Sequence, residues 1–126
     1  MAILHVDDEI MIRNVARRAL EALGFDVVSV EGVRAAKAAL ADRGDITGAF
    51  LDVQLGDGNG LELYAWIEEH RPTLRGRMAF VTGSADTQFL EPMSALGCPV
   101  LRKPFDLADL RRLAAQWDGV HGDAVT

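Results

Sequence analysis

Gly48-Ala49-Phe50-Leu51-Asp52-Val53-Gln54-Leu55-Gly56-Asp57-Gly58-Asn59-Gly60 decides how this chain is read. An apolar run ends in a single carboxylate, Asp52, and three glycines follow within eight residues. The run has the length and composition of a short buried strand, and the glycines end it. Asp52 then stands at the carboxyl end of a strand, the edge where open α/β sheets carry their ligand sites.

Working outward, apolar runs alternate with helical periodicities. Ala2 to Val6 predicts a strand that exits into Asp7, Asp8 and Glu9. Ile12, Val15, Ala16, Ala19 and Leu23 recur at helical spacing, with Gly24 as the stop. Asp26 to Val30 predicts a second strand, and Val33, Ala36, Ala39 and Leu40 a second helix closing near Gly44. The third strand is predicted over Ile46 to Leu51, the third helix over Leu61 to His70 and the fourth strand over Met78 to Thr82. Residues 86–97 read as helical but contain Pro92, which is tolerated in a first turn and breaks a helix interior. That helix is therefore either short, starting near Glu91, or kinked. Pro99 to Arg102 predicts a fifth strand running into Lys103 and Pro104, and Leu107, Leu110, Leu113, Ala114 and Trp117 mark a last amphipathic helix. Five strands alternating with five helices imply a parallel sheet covered on both faces. One domain over residues 1–118 and a tail over residues 119–126 are expected.

Composition narrows the function classes. The chain has 126 residues, is 49% hydrophobic and carries a net charge of −6. That balance argues against a nucleic-acid surface, which needs a basic patch. No apolar run approaches the roughly 20 residues of a membrane span. The lone Cys98 cannot form an internal disulfide, and no leader pattern is visible, so a cytoplasmic location is expected.

The predicted strand ends carry the chemistry: Asp7 and Asp8 after the first, Asp52 after the third, Thr82 after the fourth, Lys103 after the fifth. In a parallel sheet these share one edge. Clustered carboxylates raise one another's pKa, and a divalent cation relieves the conflict. All-oxygen donors point to Mg²⁺, with Mn²⁺ as a substitute. Asp52 reads as a nucleophile for a phosphoryl group, with Lys103 as a point charge and Thr82 as a hydroxyl donor for its oxygens. Taken singly, each of these residues has a plainer reading as a cap, a turn residue or a surface group. Their complementary roles on one edge favour the functional one.

The chain resembles the response-regulator receiver domain of two-component signalling. The resemblance rests on Val6-Asp7-Asp8-Glu9, on Leu51-Asp52 with Gly60 eight positions later, on Val81-Thr82-Gly83 and on Lys103-Pro104-Phe105. It implies a flavodoxin-like fold with strand order 2-1-3-4-5. It implies phosphorylation of Asp52 by a histidine kinase or a histidine phosphotransfer protein, and a message passed on by contact with a downstream protein. It further implies Mg²⁺ held by Asp8, Asp52 and the backbone carbonyl of Gln54, with Asp7 assisting through water, and a cis Lys103–Pro104 peptide. Gln54 and Ser84 are expected to set the lifetime of the phosphorylated form.

Three positions depart from the family's habit. Val100 replaces an aromatic three residues before the lysine, Gly56 replaces a loop proline, and Pro92 interrupts the fourth helix. A more mobile loop after Asp52 is expected, together with either signalling through a different surface change or a loosely ordered fourth helix. Other functions fit less well. A phosphohydrolase of the haloacid-dehalogenase type needs a second aspartate where this chain has Gln54, so turnover of an external substrate is not expected. A nucleotide or flavin binder would need a glycine-rich first turn, not carboxylates. A receiver-like module that signals without phosphate is kept open by Val100. No output domain is visible, and Met1 leans toward a freestanding protein. His5 is expected to be packed or at an edge, His70 to suit a helix C-terminus, and His121 to lie in the tail. Cys98, Trp66 and Trp117 are expected as packing residues.

Overall fold

The computed structural model describes residues 1–83 and 87–117. The elements, in chain order, are β1 (Ala2–Val6), α1 (Ile10–Glu21), β2 (Asp26–Val30), α2 (Val33–Asp42), β3 (Ile46–Asp52), α3 (Gly60–His70), β4 (Met78–Thr82), α4 (Leu90–Ala95), β5 (Val100–Arg102) and α5 (Leu107–Trp117). The five strands form one parallel sheet in the order β2-β1-β3-β4-β5, as expected. A two-residue antiparallel pair, Gln54–Leu55 with Gly58–Asn59, folds the loop after β3 into a small hairpin. Short 3-10 turns cover Pro72–Leu74 and Thr87–Phe89.

Period-two alternation divides the core between the two faces of the sheet. Leu4, Val6, Ala49, Leu51, Met78 and Phe80 meet α2, α3 and Met93 of α4. Ile3, Phe50, Ala79 and Val81 meet α1 and α5. Phe50 and Trp117 pack with ring centroids 4.7 Å apart on that second face. Because the central strands are buried on both sides, β1 and β4 read as continuous apolar runs.

The structure differs from the sequence reading in particulars. On α1 the core side chains are Ala16, Ala19 and Leu20, whereas Val15 is 49% exposed and Leu23 is also exposed. Six-residue α4 is the short alternative: Pro92 is its third residue, in the first turn, where a missing N–H breaks no bond. Trp66 is half-buried, stacked on His70 at 4.3 Å, with Lys37 Nζ 5.4 Å from its ring. Trp117 is buried and Cys98 half-buried. Ser84 and the stretch 118–126, including His121 and the expected tail, lie outside the described residues. Among the described residues, no helix is long and apolar enough to cross a membrane.

Candidate functional site

The parallel register delivers the expected residues to one edge. Asp7 follows β1, and its N–H donates to Val30 O at 3.0 Å, which aligns the ends of β1 and β2. Asp52 ends β3 opposite Val81, and Val53 N donates to Val81 O at 3.1 Å. Thr82 ends β4, and Lys103 N donates to its carbonyl at 2.8 Å, so the lysine begins where β4 ends. The Lys103–Pro104 peptide is cis.

Asp7, Asp8 and Asp52 each offer a carboxylate oxygen, and these lie within 4.8 Å of one another. Asp7 and Asp52 are buried, whereas Asp8 is exposed. Lys103 joins the same cluster. Its Nζ donates to Asp52 Oδ2 at 2.9 Å and lies 3.1 Å from Asp7 Oδ2. Glu9 Oε1 also accepts from it, at 3.2 Å. Thr82 is buried, and its hydroxyl donates to the carbonyl of Gly83 at 3.2 Å. Gln54 begins the hairpin immediately beyond the site.

The electrostatics follow from burial. Burial pushes the Asp52 carboxyl up to about 7; the hydrogen bond and charge of Lys103 oppose the rise, and the charges of Asp7 and Asp8 add to it. For Lys103, burial disfavours the ammonium, but the bonds and charges of Asp52 and Asp7 outweigh it and hold the pKa above its ordinary value. A buried carboxylate that resists ionisation beside two others suits a hard divalent cation, and all three donors are oxygens. The donor set therefore fits Mg²⁺.

Sequence reasoning expected His5 to be packed or at an edge and did not single out the other groups around this set. His5 is wholly buried in β1, with Nε2 3.9 Å from Asp7 Oδ2. Burial, with the charges of Lys103 and Arg13, pushes it down to about 3, so it stays neutral at ordinary pH. Arg13 Nη1 donates to the carbonyl of Asp7 at 2.6 Å and fastens α1 to the end of β1. The loop after Asp52 is tied down at several points. Gly60 N donates to Val53 O at 2.8 Å, and Asn59 caps α3 by accepting from Glu62 N at 2.9 Å. Asp57 reaches across to the first turn of α2. These contacts run against the mobile loop that Gly56 suggested. The Asn59–Glu62 cap has the spacing of a helix start, whereas the Asp57 contacts are long-range and spacing does not find them.

Beside Lys103, a groove of about 390 Å³ is lined by Met11, Ile12, Val15, Pro104, Phe105 and Leu107. Its rim on α1 exposes Met11 at 77% and Ile10 at 62%. Val15 on the same helix is 49% exposed.

Comparison with known proteins agrees with this geometry. The response regulator receiver domain family matches over residues 3–115. The chain is 35% identical to the response regulator protein PilR of Pseudomonas aeruginosa over 112 residues, covering 89% of this chain and 25% of PilR. It is 33% identical to the photosynthetic apparatus regulatory protein RegA of Rhodobacter capsulatus, covering 86% of this chain and 58% of RegA. The chain thus spans about a quarter of the length of PilR and over half of RegA. Among solved structures, the receiver domain of NtrX from Brucella abortus superposes with a TM-score of 0.79 at 27% identity, covering 91% of this chain and 96% of that one. A CheY-like receiver domain from Methanospirillum hungatei shares the fold at a TM-score of 0.81. With the acidic cluster at the expected strand ends and the family matched over nearly its whole length, the chain belongs to the response regulator receiver domains of two-component signalling.

Proposed function

We propose that Asp52 accepts a phosphoryl group from a histidine kinase or histidine phosphotransfer protein, and that the phosphorylated domain signals or relays through protein contacts. The observation that carries this reading is the placement of Asp52. It is a buried strand-end carboxylate within 4.8 Å of two others and 2.9 Å from the lysine ammonium that also contacts Asp7.

Asp8 and Asp52 would hold Mg²⁺ together with the backbone carbonyl of Gln54, and Asp7 would assist through water. The ion supplies positive charge against the carboxylates and the phosphoryl oxygens, which keeps Asp52 ionised near neutral pH. An Asp52 oxygen attacks phosphorus. The new O–P bond forms as the donor's P–N bond breaks, and that electron pair stays with the donor imidazole. Lys103 leaves its contacts with Asp7 and Asp52 to meet one phosphoryl oxygen, and the Thr82 hydroxyl meets another. Phosphoryl transfer gains most from such positioning and charge stabilisation. The donor docks across the exposed apolar rim of α1 and the groove beside Lys103, which open next to Asp52. The domain modifies its own aspartate and turns over no external substrate.

Intact mass after incubation with Mg²⁺ and a small acyl phosphate tests the reading. The expected result is a gain of one phosphoryl group, absent in Asp52→Asn and in the presence of chelator. No gain in the wild type, under conditions where the metal binds and the cognate kinase is supplied, would leave a scaffold that signals without phosphate.

A further inference from the structure

We propose that Asp57 is a positioning residue for the metal site: it clamps the tip of the loop after Asp52 onto the first turn of α2 and so holds the carbonyl of Gln54 where a ligand is needed. The inference rests on the Mg²⁺ reading above and extends it to a residue outside the acidic cluster.

Helix α2 begins without a cap of its own. Its N-cap is Gly32, which has no side chain to accept from the first N–H groups. Asp57, 24 positions beyond Val33, fills that role. Its Oδ1 accepts from Val33 N at 2.8 Å and its Oδ2 from Arg34 N at 3.0 Å. The fit is tight: a Cβ at position 32 would lie 2.5 Å from Asp57 Oδ1, so Gly32 is what lets the carboxylate approach. A carboxylate at a helix N-terminus also gains from the helix dipole, and these two bonds hold the Asp57 carboxyl below its ordinary pKa.

The location of the clamp gives it a consequence for the site. Asp57 is at the tip of the hairpin, and Gln54 opens the limb that leads back to Asp52. The tip is flanked by Gly56 and Gly58, so the chain itself contributes little stiffness there. The far limb is fixed by the Asn59 cap and by the bond from Gly60 N to Val53 O. The near limb is fixed through its pairing with that strand and through Asp57. Asp8 and Asp57 line the same cleft, of about 630 Å³, which runs from the acidic cluster to the start of α2. The charged clamp thus stands in for the rigidity that a proline at position 56 would give.

Mn²⁺ binding to the full chain, followed by electron paramagnetic resonance, tests the assignment. Asp57→Ala is expected to weaken Mn²⁺ affinity roughly tenfold, the low end for loss of a residue that orients a metal ligand. Asp57→Asn, which keeps acceptor geometry and caps helices well, should stay within about threefold of wild type. Ala38→Gly is the control for helix stability. It loosens exposed mid-helix backbone in α2 and should lower the melting temperature without weakening Mn²⁺ binding. Equal Mn²⁺ affinity in Asp57→Ala and wild type overturns the inference, as does equal weakening in Ala38→Gly. If Asp57→Ala does not fold, Asp57→Ser, with one acceptor in place of two, carries the same comparison. Failure of the underlying reading looks different: the wild type itself then binds no Mn²⁺, or binds it equally after Asp52→Asn and Asp8→Asn.

Discussion

The chain leaves the sheet at the same edge after β3 and after β4, and each time it returns through a helix; the two excursions are built differently. After β3 the loop is paired with itself, capped onto α3 through Asn59 and bound to α2 through Asp57. The eleven-residue α3 then buries Leu63, Tyr64 and Ile67. After β4, the six-residue α4 buries Met93 alone. Its N-cap, Phe89, makes no side-chain bond, and β5 exposes both Val100 and Arg102. Burial and capping set local stability, so α3 is expected to open at higher free energy than α4. The pinned segment carries the groups that must hold charge at fixed distances. The segment with the lightly packed α4 lies between Thr82 and Lys103, the residues proposed to meet the phosphoryl group.

The largest expected effect comes from removing the pin nearest the nucleophile. A Cβ at Gly60 would lie 2.4 Å from the carbonyl oxygen of Asp52, and 3.1 and 3.2 Å from further backbone atoms of Asp52 and Val53. Backbone cannot yield as a side chain can. Gly60→Ala should therefore cost about 3 kcal/mol, the upper range for overpacking, and should abolish the stabilisation by Mg²⁺. Pro92→Ala, in exposed first-turn backbone of α4, should shift stability by no more than about 0.5 kcal/mol. Urea unfolding of the two variants with and without Mg²⁺ checks both. Similar costs would erase the contrast between the excursions.

Titration gives the next effect in size. Asp52 titrates near 3.9 in an unfolded chain and near 7 when folded without metal. Below about pH 4 the carboxyl is protonated in both states and makes no difference to stability. Between about 4 and 7 the unfolded chain gives up the proton while the folded chain keeps it, so stability falls as pH rises, and levels off above 7. With a discount for the solvent reaching this edge of the sheet, the loss is about 2 kcal/mol. The Asp52→Asn variant should lack this slope. Melting curves in chelator over this pH range, for wild type and variant, measure it. Parallel curves would mean that the carboxylate is not strained by burial, and that relief of that strain is not what the metal supplies.

Most of the fold was legible in sequence because strands buried on both faces leave unbroken apolar runs that carboxylates or glycines end abruptly. The site was legible because parallel strands bring their ends together in register, so Asp7, Asp8, Asp52, Thr82 and Lys103 could be assigned to one edge from position alone. The α1 surface was not. Helical periodicity marks an apolar stripe without saying whether the core or a partner covers it, and Val15 falls on the uncovered side. Asp57 was not either, since its partners are 23 and 24 residues away and a lone aspartate between glycines reads as turn chemistry. Pro92 left two lengths open for α4, and the small apolar area it buries agrees with the shorter.

The smallest effect tests whether the second excursion responds at all. Val100 is 37% exposed on β5, paired in register with Phe80 in the middle of β4. A receiver with an aromatic here has a large side chain that can swing as the threonine moves; valine has one χ angle and little reach. Val100→Tyr should leave stability within about 0.5 kcal/mol of wild type, since the side chain stands mostly in solvent. Its effect belongs to the phosphorylated form. Amide exchange in α4, before and after phosphorylation, should change little in the wild type and more in the variant, while α3 stays protected in both. A wild-type α4 that already responds as strongly as the variant would show that the message crosses this edge through backbone rather than through the side chain at position 100. The light packing of α4 would then be enough by itself to let the second excursion answer the first.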